Sequence, residues 1–123
     1  MISWKWGVTL ALSLAIPTVA SGGVADVLDV EAERTGAERW RFTVTVRHAD
    51  EGWDHYADAW QVVAPDGTVL GIRKLHHPHV DEQPFTRSLS GIEIPSHIDR
   101  VTVRARDKVH GFGGKTVRVP LRR

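Results

Sequence analysis

Cysteine is missing from the chain altogether, and that one absence removes several classes of chemistry. Without a thiol there is no disulfide, no thiolate nucleophile, no thiolate-rich metal site and no N-terminal cysteine to carry a lipid. A domain of about 100 residues without such staples must be held by its own apolar core, which a chain of that size can just supply. Methionine occurs once, at Met1, so thioether ligation of Cu(I) is disfavoured. Excess charge is absent too: 16 basic residues against 15 acidic ones leave a net charge of +1. The basic residues are spread along the chain with no run longer than Arg122 and Arg123. The sequence therefore writes neither a polybasic membrane tail nor a phosphate-tracking stripe, and predicts no nucleic-acid partner.

Two enzymatic motifs dissolve on inspection. Gly114-Lys115-Thr116 ends like a phosphate-binding loop, but the glycine required five positions before Gly114 is Val109, and the residues after Thr116 alternate like a strand where a helix is needed. Asp54 stands beside His55, yet no serine sits in a nucleophile elbow to be activated by such a pair. No catalytic residue and no organic cofactor are predicted.

The N-terminus begins with a short stretch bearing Lys5, continues into an apolar run from Gly7 to Ala20, and ends in small residues. Those three features in that order describe a secretory signal peptide over residues 1–20, cut near Ala20/Ser21. The run is shorter than the roughly 20 apolar residues needed to span a bilayer. Its removal takes Lys5 with it and leaves a neutral domain over residues 24–123, expected in the periplasm or secreted, with no membrane attachment once the signal is cut.

From Val24 onward the hydrophobic period is two, with no amphipathic helix. Residues 40–48 set Trp40, Phe42, Val44 and Val46 against Arg41, Thr43, Thr45 and Arg47, the pattern of a strand with one buried face. Similar segments at 27–33, 57–63, 68–75, 85–94, 100–106 and 115–121 bring the strands to seven, and Pro65-Asp66-Gly67 marks a tight hairpin. Trp40, Phe42, Val44, Trp60, Val62, Leu89, Val101, Val103, Val117 and Val119 are the predicted core. Seven short strands with Gly, Pro and Asp turns resemble an immunoglobulin-like or fibronectin-like antiparallel β-sandwich, with Trp60 in the place of the core tryptophan but without that family's cysteine pair. The runs "LHHPHVDEQPFTRSLSG" and "VHGFGG" are similar to small exported bacterial proteins of unknown function. That resemblance implies no catalytic residues, and architecture alone does not carry function.

Histidine is what the chain does have. In a meander of antiparallel strands the connections alternate between the two ends, which sends His48, His55, His76, His77, His79 and His110 to one rim and His97 to the other. His77 and His79 are two apart, a spacing that turns both rings to one side of an extended segment, and Pro78 stiffens it. His55 and His110 are the natural third and fourth ligands, with Asp54, Asp81 and Glu82 as carboxylate ligands or acceptors. An imidazole-rich, thiolate-free set suits Zn²⁺ or Cu²⁺. The expectation is a non-catalytic binding module with a metal at His77, His79, His55 and His110; the alternative is an interaction domain whose histidine- and aromatic-rich rim meets a protein partner without metal. The signal assignment is checked by intact mass: protein recovered after export should lack the segment to about Ala20, and a mass retaining Met1 refutes it.

Overall fold

The computed structural model describes residues 23–123, and the signal segment assigned above lies outside them. Seven strands follow in order: β1 (Asp26–Arg34), β2 (Arg39–Arg47), β3 (Ala57–Val63), β4 (Val69–Lys74), β5 (Phe85–Glu93), β6 (Arg100–Asp107) and β7 (Val117–Pro120). They form two antiparallel sheets, ordered β1-β2-β5 and β4-β3-β6-β7. No helix forms among the described residues. The fold is the all-β sandwich that the alternation predicts, and β3 spans the same residues in sequence and structure.

Period two fixes the core. From β2 the side chains of Trp40, Phe42, Val44 and Val46 point inward, and they meet Trp60 and Val62 of β3 and Val101, Val103 and Ala105 of β6, all buried. Eight of the ten predicted core residues are buried; Leu89 and Val117 are partly buried and pack against the cluster. The reason is position, since β5 and β7 are edge strands with no hydrogen-bonded strand along their outer flank.

Both flanks of the sandwich are closed by polar contacts. On one, Arg73 Nε donates to the Ser88 carbonyl at 2.9 Å, tying β4 to β5. On the other, Val27 N donates to the Lys115 carbonyl at 2.9 Å and Lys115 N to Asp26 Oδ1 at 2.8 Å, so the segment before β7 docks on β1. Gly114 is required there because any Cβ would collide with the Ala25 carbonyl; close approach, and not phosphate binding, explains that glycine. Gly111 in the same connection does adopt a positive φ of 68°.

The loop ends divide as the meander demands. The β3–β4 hairpin and the β5–β6 corner share a depression lined by Ala64, Pro65, Asp66, His97, Ile98 and Asp99. At the opposite end the β2–β3, β4–β5 and β6–β7 connections converge: Lys108 N donates to the Tyr56 carbonyl at 3.1 Å and His48 N to Gln83 Oε1 at 3.0 Å. Trp60, the largest of the wholly buried side chains, tests the packing. Its replacement by alanine should lower stability by roughly 3 to 5 kcal/mol in denaturant melts, through lost burial plus the cavity left behind; a loss below about 1 kcal/mol would contradict that packing.

Candidate metal centre

Two strands run their inward phase one residue past the hydrophobic core, into polar side chains. On β6 the series Val101, Val103, Ala105 continues to Asp107, and on β2 the series Val44, Val46 continues to His48; both side chains are wholly buried. A buried carboxylate is tolerated only with strong partners. Asp107 Oδ2 accepts from Val109 N at 3.1 Å and His110 N at 2.9 Å. Burial pushes this carboxyl's pKa up, but the His110 and Val109 hydrogen bonds and the nearby His48 outweigh it, so the pKa lies below the ordinary aspartate value. Its Oδ1 is buried with no hydrogen-bond partner.

Three imidazoles converge on this carboxylate. His55 Nε2 lies 2.9 Å and His110 Nδ1 3.0 Å from Asp107 Oδ2, and His48 Nε2 lies 4.0 Å from it. His48 Nε2 and His55 Nε2 are 3.1 Å apart. The far nitrogens of both rings are held by other carboxylates: His48 Nδ1 by Asp50 Oδ1 at 2.6 Å, His55 Nδ1 by Glu51 Oε1 at 2.8 Å. Asp50 also accepts from Ala57 N at 3.0 Å and His79 N at 2.6 Å, so both of its oxygens are acceptors and the shared proton belongs to His48 Nδ1. In the neutral tautomers that these carboxylates favour, the proton is on Nδ1 and Nε2 presents a lone pair. Two imidazole lone pairs and a carboxylate oxygen therefore face one another, an arrangement that needs a cation between them.

A proton can fill that role. His55 has its pKa raised above the ordinary histidine value, chiefly by the Glu51 hydrogen bond, with burial opposing and Asp107 adding. A metal ion can fill it as well. The separations of 3.1, 2.9 and 4.0 Å define a triangle whose centre lies about 2.0 Å from all three atoms, within the bond lengths Zn²⁺ makes to imidazole and carboxylate. The Asp50–His48 and Glu51–His55 pairs supply the carboxylate–histidine support that metal-bound imidazoles use to fix their tautomer.

The structure brings His55 and His110 together, with ring centroids 5.1 Å apart over Asp107. His77 and His79 form a separate pair with centroids 4.7 Å apart. His79 is buried and stacked on Phe85 at 4.0 Å, and its Nε2 receives a hydrogen bond from Arg87 Nη2 at 3.0 Å, which occupies the lone pair a metal would use. Burial first, then Arg87 and His77, hold its pKa below the ordinary value. Glu82 pairs with Arg87 at 3.1 Å, while His76, Asp54 and Asp81 are exposed. His97 lies at the far end, as the meander requires. From sequence His48 is placed on the rim but not among the ligands, and Asp107 is not singled out; the usable signal for both is that each continues a strictly alternating apolar series in phase.

No family model matches the chain, and no solved structure matches it. A protein of Halomicrobium mukohataei described as a "Putative lipoprotein" is 44% identical over 93 residues, covering 76% of this chain and 45% of that protein. The chain thus spans about half the length of the curated relative it matches.

The His55–Glu51 contact has a pH signature. A histidine whose folded pKa is raised adds stability that is fully present below its unfolded value near 6.5 and is lost as pH rises through the folded pKa. Metal-free wild type should therefore exceed Glu51→Gln in stability below about pH 6.5, with the difference vanishing on the alkaline side. The His55 ring resonance should titrate at lower pH in Glu51→Gln; an unchanged titration refutes the contact.

Proposed function

We propose that this chain is a small exported, non-catalytic binding module that holds a divalent cation, Zn²⁺ or Cu²⁺, between His48 Nε2, His55 Nε2 and Asp107, with His110 beside them as a further imidazole donor. The observation that carries this reading is the point about 2.0 Å from all three donor atoms, flanked by two carboxylate-supported imidazoles. Export is supported by the signal-like N-terminus and by the name of the Halomicrobium relative. His77 and His79 stand outside the ligand set, because Arg87 engages the outer nitrogen of His79.

A second reading, a protein-contact surface without metal, is favoured by one observation: Trp53, Val80 and Val109 are 63%, 56% and 60% exposed on the loops at this same end. Apolar side chains left in water on converging loops suit a protein partner.

Thermal melting and calorimetry with Zn²⁺ or Cu²⁺ on tag-free protein separate the two. Saturating metal should raise Tm in the wild type and fail to do so in His55→Ala and Asp107→Asn. Asp50→Asn should weaken affinity about 10–100-fold by releasing His48, and His77→Ala should leave it unchanged. Since metal competes with protons for the imidazoles, affinity should fall as pH drops through the histidine range. Absence of any metal-dependent rise at neutral pH overturns the metal reading in favour of the contact surface.

A further inference from the structure

Of the basic residues spread along the chain, the fold brings five strand positions together on one face. The register sets Lys74, Arg100, Arg104, Arg106 and Arg118 on the outer side of the four-stranded sheet, where the strands' only acid is Asp58. Arg104 stands opposite Gln61, which stands opposite Ile72; Arg106 stands opposite Ala59, which stands opposite Lys74; Thr102 stands opposite Arg118. Lys108 extends the row just past β6 and is exposed. Asp58 is held by Arg106 at 3.0 Å, and Asp99 lies 3.7 Å from Arg100 at the bottom corner. On the outer side of the other sheet Asp29, Glu31 and Glu33 of β1 and Glu93 of β5 stand among Arg39, Arg41 and Arg47 of β2, so the charges there nearly cancel and the surplus of cations lies on the four-stranded sheet.

The basic side is also studded with apolar groups. Ile72 is 47% exposed and Phe112 38% exposed, with the Arg104 guanidinium 4.2 Å and that of Arg106 5.9 Å from the Phe112 ring centroid. A soluble acidic polymer offers charge alone. A bilayer with anionic headgroups offers charge over a broad plane and, just beneath, hydrocarbon for exposed apolar side chains.

We propose that the outer face of the β4-β3-β6-β7 sheet docks on an anionic membrane surface. Export would bring the domain to a membrane surface, whose anionic headgroups complement the charge of this face. The proposal rests on the export part of the functional reading and is independent of the metal.

The test is co-sedimentation of the full chain with vesicles of phosphatidylcholine alone or with about a third phosphatidylglycerol. The full chain keeps its apolar N-terminus in every sample, so that segment contributes equally throughout. Wild type should bind the anionic vesicles at least about tenfold more tightly at low salt, and the preference should disappear in about 0.5 M salt. The triple variant Lys74→Glu, Lys108→Glu, Arg118→Glu, all exposed positions, should lose the preference, and the opposite-face pair Arg41→Glu, Arg47→Glu should retain it. Equal binding to both vesicle types, or a preference surviving in the triple variant with native circular dichroism, overturns the proposal. Binding of polyglutamate through the same lysines and arginine without a vesicle preference also overturns it, in favour of an acidic macromolecule. Retention of Met1 in exported protein would count against export and leaves this comparison readable.

Discussion

A carboxylate with no access to water at the end of β6 organises this end of the molecule. Asp107 sits where the alternation of β6 calls for another apolar side chain, and a charge there must be met by dipoles or countercharge. Two backbone amides of the β6–β7 turn meet one oxygen, and they meet it only because the turn curls back, with Gly111 bridging to Asp107. A proton on His55, whose pKa is raised, or a cation held between the rings would complete the neutralisation. Remove the carboxylate and the turn, His55 and His110 all lose the acceptor that orients them.

Asp50 has the matching role in the next layer outward. A single buried side chain joins the end of β2 through His48, the start of β3 through Ala57 N, and the β4–β5 connection through His79 N. Gln83 doubles the tie by donating to the His79 carbonyl and accepting from His48 N. His79 therefore has its backbone held on both sides and its ring packed on Phe85. The most histidine-rich segment of the chain is thus structural at its buried member, and the His48, His55 and Asp107 cluster forms beside it. Asp107 on β6 and His48 directly after β2 are placed by the strands, while His55 in the β2–β3 connection is braced by Glu51.

The two surfaces answer to different physics. The loop end concentrates acceptors among buried side chains, where a single small cation would satisfy several at once. The outer face of the larger sheet spreads cations over a plane, where no single pair is worth much and only an extended anionic surface gathers their effect.

How much the sequence alone determined depends on the range of each interaction. Strand identity, the inward set from Trp40 to Val119, the Pro65-Asp66-Gly67 hairpin and the sorting of His97 away from the other six histidines all depend on local alternation and on counting reversals. Those are properties of neighbouring residues, and the fold agrees with them. Leu89 and Val117 read as core and proved half-covered, since burial at a sheet edge depends on whether another strand lies alongside. The partnership of His48, His55 and Asp107, the engagement of His79 with Arg87, and the gathering of five cations on one face were decided by the tertiary structure alone. Each joins residues far apart in the chain, and which of them touch is set by strand register and sheet order, which no local pattern encodes.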